Sequence, residues 1–169
     1  MYYINKTFTI ELNNSYKIVY NLLDDYYMFV GRRDSMITVY KHIEEELVSD
    51  CTVSDATKGS WVNLVNPDPD ELSLINILTE IPTDVLKTAL DMEERSHVEL
   101  EDNYIFVVIN IPAIRGNDMY DTVPLGIFLT PDFFITVCLE ESEVLYPFIS
   151  NQLSTFYTYK KTRFLFQIL

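Results

Sequence analysis

Cysteine, glycine and histidine are scarce in this sequence, and each shortage excludes a class of function. Of the 169 residues, two are cysteine, four are glycine and two are histidine. The two cysteines lie far apart and indicate no disulfide framework. The glycines form neither of the phosphate-binding loops G-x-x-x-x-G-K and G-x-G-x-x-G, nor a G-x-S-x-G nucleophile motif. We therefore expect a protein that is not an enzyme and holds no tightly bound cofactor.

The metal ligands and nucleophiles that are present lack partners in the sequence. His42 and His97 have no second ligand at the spacing that metal sites use. Cys138 lies within the apolar run 133–139, where a cysteine packs as a small hydrophobic side chain, and such a cysteine fits a reducing compartment. A nucleophilic role would require Cys138 to leave that run, so we expect its role to be structural.

Positive charge is the next shortage. Lysine and arginine number 12 against 26 aspartate and glutamate residues, which gives a net charge of −14 and a pI of about 4.3. Such a surface repels nucleic-acid backbones and anionic lipid headgroups. The densest basic cluster is KKTR at 160–163, which is typical of a solvated helix start. We expect neither nucleic acid nor a membrane surface as a direct partner.

Long hydrophobic runs are also absent. A membrane-spanning helix needs about 20 apolar residues, and the longest candidate, 125–139, is interrupted by Pro131 and Asp132. Residues 1–6 show neither the basic start nor the apolar run of a signal peptide. The chain as given is therefore predicted to be soluble.

Hydrophobic residues are abundant and predict one domain with a sizeable core. They make up 48% of the sequence and include 12 tyrosines and 10 phenylalanines. Composition changes near residue 35, because 1–35 carry four cations, four anions and half of the tyrosines, so the whole net charge lies in 36–169. Residues 31–35 are a predicted linker. Residues 1–35 are either a hairpin or helix packed on the domain, or an extension that the core fold does not need; we favour the extension.

Apolar periodicity predicts an α/β fold after residue 35. Strands are predicted at 37–40, 43–48, 61–65, 98–101, 104–111, 122–129 and 133–139. A helix is predicted after Asp68 or Asp70, either of which can cap it, with Leu72, Ile75 and Leu78 on its buried face. Further helices are predicted at 82–91, at 144–156 and from about 159 onward, and a loop around 115–117 turns the chain.

Two carboxylates on the predicted helix 82–91 are candidate metal ligands. Asp84, Thr88 and Asp91 stand at i, i+4 and i+7, so they would share one helix face. Oxygen ligands of this kind suit Mg²⁺ or Ca²⁺. The alternative is a solvated polar face, and the positive charge of Lys87 between these residues favours that alternative.

An acidic run precedes a long apolar strand. Glu93, Glu94, Glu99, Glu101 and Asp102 come before the run YIFVVI at 104–109. Charged side chains at the rim of a sheet keep an edge strand from pairing with other chains. We therefore expect a short edge strand with an acidic rim, next to a buried strand.

These motifs, in this order, resemble the amino-terminal cytosolic domain of CorA-like divalent-cation transporters. The resemblance covers residues 36–169 and leaves out 1–35. It is carried by MITVY at 36–40, GSWVNLVNP at 59–67, DE at 70–71, IPTD at 81–84, ALD at 89–91, EER at 93–95, VE at 98–99, YIF at 104–106, VPLGIF at 123–128 and FITV at 134–137. It implies a mixed β-sheet flanked by helices on both faces at 36–158, and the start of a long stalk helix at 159–169.

The resemblance also implies an assembly, a location and an ion. In the family, two membrane helices follow the stalk, the first ends in Gly-Met-Asn, and five subunits surround one pore that conducts Mg²⁺, Co²⁺ or a related divalent ion. The domain then lies on the cytoplasmic side of the plasma membrane. This chain contains neither the membrane helices nor Gly-Met-Asn, so it would be the sensing or gating part without the pore. By itself it is expected to be a monomer or weak dimer.

The metal site of the family is only partly matched. Its acidic pair falls at Lys87 and Thr88 here, and these side chains cannot bridge Mg²⁺ in the same way. Asp84 and Asp91 remain the candidate ligands, and any binding of Mg²⁺ or another divalent cation is expected to be weak. Acidic copies held in a ring would repel one another unless cations collect between them. The alternative function is a free-standing acidic protein-interaction module with no role in transport.

Overall fold

The computed structural model describes the backbone of residues 7–12, 16–21 and 26–30, and all of residues 36–115 and 120–169 except the side chains at 50 and 51. The predicted linker at 31–35 and positions 116 and 117 of the predicted loop lie outside the described residues. Contacts divide the chain into two compact units, Met1–Ser35 and Met36–Leu169.

The first unit contains a three-stranded antiparallel meander. Its strands are β1 (Thr7–Leu12), β2 (Tyr16–Asn21) and β3 (Tyr26–Val30), hydrogen-bonded in that order. That the core fold does not require these residues stays a prediction.

The second unit is built on a seven-stranded mixed sheet. Its strands are β4 (Ile37–Ile43), β5 (Glu46–Cys51), β6 (Trp61–Val65), β7 (His97–Leu100), β8 (Ile105–Ile114), β9 (Tyr120–Leu129) and β10 (Phe134–Cys138). They lie in the order β5-β4-β6-β10-β9-β8-β7. β6 and β10 pair in parallel, and the other neighbours in the sheet pair antiparallel.

Buried polar side chains fix the register of β6 against β10. The Trp61 Nε1–H donates to Thr136 Oγ1 at 2.8 Å, and the Thr136 hydroxyl donates to Asn63 Oδ1 at 2.7 Å. All three residues are buried, and Asn63 and Thr136 stand opposite each other in the ladder. A shift of the register would leave these groups buried without partners, which typically costs about 1–3 kcal/mol for each group.

Helices cover both faces of the sheet, which confirms the predicted α/β architecture. They are α1 (Pro69–Thr79), α2 (Thr83–Thr88), α3 (Tyr146–Ile149) and α4 (Lys161–Ile168). α1 and α2 bury Leu72, Ile75 and Leu86 against one face. α3 and α4 bury Phe148, Phe164 and Ile168 against the other. Within the described ranges, no helix is both long and apolar enough to span a membrane.

The start of α1 follows the sequence prediction. Asp68 caps the helix and accepts hydrogen bonds from the backbone N–H groups of Asp70 and Glu71, both at 2.9 Å. Glu71 completes a capping box, because its Oε2 accepts from the Asp68 N–H at 3.0 Å. The Glu71 Oε1 also accepts from the Met36 N–H at 2.7 Å, which ties the helix to the chain just before β4.

Two helix predictions are wrong in extent. The predicted helix 144–156 is only the single turn α3, and just after it Asn151 adopts a left-handed φ of 52° that an α-helix cannot continue through. The predicted helix 82–91 ends as α2 at Thr88. There the backbone tightens, with the Leu90 N–H donating to Lys87 O and the Asp91 N–H donating to Thr88 O.

Gly126 is required where α2 packs on the sheet. It lies in the middle of β9, opposite Val108 of β8 and Val137 of β10. A Cβ at this position would overlap the Cβ of Ala89, which is itself fully buried just after α2. The absence of a side chain at 126 therefore lets α2 approach the strands.

We predict that Gly126→Ala lowers the free energy of unfolding by about 1–3 kcal/mol, because it overpacks this contact. Urea unfolding of Gly126→Ala, Ala89→Gly and the double variant measures the effect. If the overlap is the cause, the loss in the double variant is smaller than the sum of the two single losses. Additive losses would contradict this explanation.

Candidate functional site

The acidic residues singled out in the sequence lie at one edge of the sheet. We call Glu93, Glu94, Glu99, Glu101 and Asp102 the acidic rim. Glu93 and Glu94 precede β7, Glu99 lies within it, and Glu101 and Asp102 form the turn into β8. β7 is the terminal strand of the sheet order, and its residues 98–100 are exposed. The edge strand is thus solvated, and acidic side chains flank it at both ends.

His97 is held within the acidic rim, which the sequence analysis did not predict. Its Nδ1 lies 2.7 Å from the Arg95 carbonyl oxygen and 3.5 Å from Glu94 Oε1, and its Nε2 lies 3.3 Å from Glu99 Oε1. The ring packs edge-on against Phe106 with centroids 5.4 Å apart. The sequence signal was available, since residues 97 and 99 share one face of a strand.

Tyr104 lies within the negative potential of this edge. Burial raises the pKa of Tyr104, and the charges of Glu101, Glu99 and Asp84 raise it further. Asp84 lies at the start of α2, whereas the two glutamates belong to β7 and the turn after it. The structure therefore brings Asp84 toward the acidic rim.

The predicted metal ligands do not share one helix face. α2 ends at Thr88, three residues before Asp91. The Thr88 hydroxyl donates to the Asp84 carbonyl oxygen at 3.2 Å, and Asp91 Oδ1 accepts from the Glu93 N–H at 3.0 Å. Lys87 is exposed on the same short helix. The prediction that Asp84, Thr88 and Asp91 share one helix face is therefore wrong, because Asp91 lies in the turn that follows the helix. Binding of a metal ion by Asp84 or Asp91 stays a prediction.

No preformed metal centre is present among the residues that the structure describes. Within them, no group of three or more histidine, cysteine, aspartate or glutamate side chains is arranged to hold an ion. Buried Cys138 contributes no ligand, since its Sγ lies 3.4 Å from the Pro124 carbonyl oxygen and burial raises its pKa. The acids of the rim are suited to a diffuse response to cations, because exposed charges attract a mobile ion atmosphere.

A second feature fixes α4 to the centre of the sheet. Phe164 of α4 is fully buried and inserts into an aromatic cluster. Its ring centroid lies 4.2 Å from that of Phe134, 5.0 Å from that of Trp61, 4.5 Å from that of Phe156 and 4.8 Å from that of Phe148. Because Trp61 belongs to β6 and Phe134 to β10, α4 packs directly on the parallel pair.

Lys161 fixes the first turn of α4 to the turn between β9 and β10. Its Nζ donates to the carbonyl oxygens of Thr130 at 2.5 Å and Pro131 at 2.6 Å. Burial lowers the pKa of Lys161, and nearby Asp132 opposes this shift. The prediction of a solvated helix start at 160–163 is wrong for Lys161, because backbone carbonyls bind its ammonium group.

Comparison with known families and structures gives one sequence match and several structural ones. The profile of the family described as CorA-like Mg2+ transporter protein matches residues 57–169. No curated protein sequence matches the chain. The sequence match includes β6 to β10, the acidic rim and α4.

Solved structures with this fold include parts of larger proteins. The soluble domain of CorA from Methanocaldococcus jannaschii matches with 19% identity and a TM-score of 0.61 over 80% of this chain and 54% of that one. The ZntB cytoplasmic domain from Vibrio parahaemolyticus matches with 14% identity and a TM-score of 0.59 over 78% and 55%. The complete CorA magnesium transporter from M. jannaschii matches with 20% identity and a TM-score of 0.55 over 69% and 37%. The chain thus spans about half the length of the two separate domains.

We predict that Lys161→Met lowers the free energy of unfolding by about 1–2 kcal/mol, because methionine keeps the apolar stem but cannot donate to the two carbonyls. Lys160→Met is the matched control. The Lys160 Nζ lies over the Tyr157 ring at 4.3 Å and is exposed, so its loss should cost less than about 1 kcal/mol. Urea unfolding compares the two variants, and equal losses would contradict an anchoring role for Lys161.

Proposed function

The chain belongs to the CorA-like Mg2+ transporter family, and from this premise we propose that it is the amino-terminal cytosolic domain of a divalent-cation transporter. Its role is to sense cations and gate a pore formed by other parts of the protein. The observation that carries the proposal is the family match over residues 57–169, which include the acidic rim and α4. The structural similarity to the CorA soluble domain and the ZntB cytoplasmic domain supports the proposal that this chain is a domain of the same kind.

The transporter is proposed to be a homopentamer at the plasma membrane, with this domain on the cytoplasmic side, and to carry Mg²⁺ or Co²⁺. Net charge gives this assembly a physical consequence. The whole charge of −14 lies in residues 36–169, so several copies brought together repel one another. Divalent cations screen that repulsion more effectively than an equal concentration of monovalent ions, because the ionic strength rises with the square of the charge.

Gating would follow from this balance. When the cytosolic Mg²⁺ concentration is high, cations collect at the acidic surfaces and favour a compact ring of domains. When the concentration falls, repulsion loosens the ring, and α4 is the element through which the domain transmits the change. A cation shifts such an equilibrium only by its difference in affinity for the two states. The acidic rim is proposed to supply this difference, because four of its five carboxylates, all but that of Glu94, are exposed in a single copy.

The test is transport by the full-length protein of which this chain is the proposed domain. In proteoliposomes that contain a Mg²⁺-sensitive dye, we expect Mg²⁺ entry that declines as Mg²⁺ on the side of the domain rises. Glu99→Gln with Glu101→Gln should weaken this decline. Glu141→Gln with Glu143→Gln, which removes the same charge from exposed positions outside the acidic rim, should leave it unchanged.

The outcomes separate the two parts of the proposal. If Mg²⁺ and Co²⁺ enter liposomes that contain the full-length protein no faster than they enter empty liposomes, the proposal of transport is wrong. Entry that responds equally to Mg²⁺ in the parent and in both paired variants would contradict sensing by the acidic rim.

For the chain studied alone, we predict a diffuse response to cations. Millimolar MgCl₂ or CoCl₂ should raise the melting temperature by about 2–4 °C, the shift expected for a stabilisation on the order of 1 kcal/mol in a chain of this size. NaCl at matched ionic strength should give nearly the same shift, because Lys87 and Thr88 stand where the family has carboxylates.

The control is the double variant Asp84→Asn, Asp91→Asn, followed by the same thermal melting series. A diffuse response is nearly unchanged in this variant. A saturable, Mg²⁺-selective stabilisation that the double variant abolishes would instead establish Asp84 and Asp91 as ligands of a specific site.

A further inference from the structure

His42 and Thr158 form a reciprocal hydrogen-bonded pair across 116 residues of sequence. The His42 backbone N–H donates to Thr158 Oγ1 at 3.2 Å, and the Thr158 backbone N–H donates to His42 Nδ1 at 3.1 Å. His42 lies in β4, and Thr158 lies in the segment that leads into α4. We call residues 156–160 the approach segment. The pair holds this segment on the sheet immediately before α4 begins.

The geometry favours a neutral imidazole. The Thr158 N–H can only donate, so Nδ1 accepts with its lone pair while the ring proton resides on Nε2. Nδ1 also lies 3.4 Å from Thr158 Oγ1, which already accepts from the His42 backbone N–H. Protonation of Nδ1 therefore removes the hydrogen bond from the Thr158 N–H, places two N–H groups against each other and leaves the more distant Oγ1 as an acceptor.

The surroundings of His42 are aromatic and favour the neutral ring. Its centroid lies 5.4 Å from that of Phe156, 5.2 Å from that of Tyr157 and 6.3 Å from that of Tyr159. Burial lowers the pKa of His42 from its ordinary value of 6.5. In the described part of the chain, no carboxylate forms an ion pair with His42 that would offset this burial.

The ionisable groups around the pair do not counteract this preference. On the approach segment these groups are Tyr157, Tyr159 and Lys160, and the Lys160 ammonium lies over the Tyr157 ring at 4.3 Å. On β4 the adjacent Lys41 donates to the Asp55 carbonyl oxygen at 3.2 Å. On β5 the residue opposite His42 is Leu47, which is apolar. Glu44, Glu45 and Glu46 follow at the turn into β5, and none of the ion pairs within the described ranges joins them to His42. Burial is therefore the cause of the lowered pKa of His42.

We infer that His42 is a pH-sensitive latch on the approach segment. With a neutral imidazole, the latch holds this segment against β4. Protonation in mildly acidic conditions opens it, while Lys161 and Phe164 keep α4 in place. The inference goes beyond the proposed function and does not depend on it, because the latch lies wholly within this chain.

The direction of the pH dependence follows from linkage. When the latch is open, His42 is solvated and takes up a proton near pH 6.5; when it is closed, the pKa is lower. The stability of the closed latch is therefore fully present above pH 6.5 and is lost as the pH falls toward the lowered pKa. In that window, the equilibrium constant for opening rises by up to about tenfold for each pH unit.

Amide hydrogen exchange of Thr158, measured by NMR between pH 7.5 and pH 5 on the complete chain, tests the inference. After correction for the intrinsic pH dependence of exchange, we expect the protection of Thr158 to fall up to about tenfold per pH unit below 6.5. The amide of Ile127 in β9 is the internal reference for global unfolding and should keep its protection. The two histidine rings are titrated in the same samples.

Two variants make the test specific to His42. His42→Asn places an uncharged acceptor oxygen where Nδ1 stands, so the latch should stay closed and the protection of Thr158 should no longer depend on pH. His97→Asn is the matched control and should behave like the parent, since His97 lies in the acidic rim near the opposite edge of the sheet.

The inference is overturned if the protection of the Thr158 amide in the parent does not depend on pH. It is also overturned if this protection falls equally in His42→Asn, or if its fall follows the titration of His97. If His42→Asn does not fold, the parent alone decides. A Thr158 amide shift that moves with the His42 midpoint, at a pKa below 6.5, supports the latch. A His42 midpoint at or above 6.5 overturns it.

Discussion

The parallel pairing of β6 with β10 joins two antiparallel sheets into one. On one side of this pair lie β5 and β4, and on the other lie β9, β8 and β7. Each of these halves is assembled from strands that are neighbours or near neighbours in sequence, whereas β6 and β10 are separated by α1, α2 and three strands. The hydrogen bonds from Trp61 through Thr136 to Asn63 select one register for this long-range contact. Both helical layers depend on it, since α1 with α2 and α3 with α4 pack across the seam.

This seam also separates the two ionic features of the domain. The acidic rim lies on β7 at one edge of the sheet, and His42 lies on β4, next to the opposite edge strand. The proposed responses to cations and to protons therefore arise at different places on the fold. The approach segment contacts β4, and Phe164 contacts β6 and β10, so α4 packs on the strands that lie between the two features.

Local patterns predicted much of this fold. The strand β6, the Asp68 cap of α1 and the apolar face with Leu72 and Ile75 follow from turn residues and periodicity, and the family resemblance is confirmed by the match over residues 57–169. Periodicity overestimated the helix at 144–156, because apolar spacing carries no information on the left-handed backbone at Asn151 that ends it. It also placed Asp91 on a helix that ends at Thr88, after which Leu90 and Asp91 donate to carbonyls three residues earlier in a turn. The bonds of Lys161 and His42 join residues 31 and 116 positions apart, and only the tertiary fold brings them together.

The anchorage of α4 has a mechanical consequence. A pull on this helix does not act on an edge strand, which would peel away one hydrogen bond at a time. Through Phe164 it loads Trp61 and Phe134 on the two central strands, whose ladder shares a load applied along the strands among several bonds in parallel. Through Lys161 it also loads the turn that connects β9 to β10. A force applied to α4 is therefore transmitted first to the two central strands of the sheet, and through them to both of its halves.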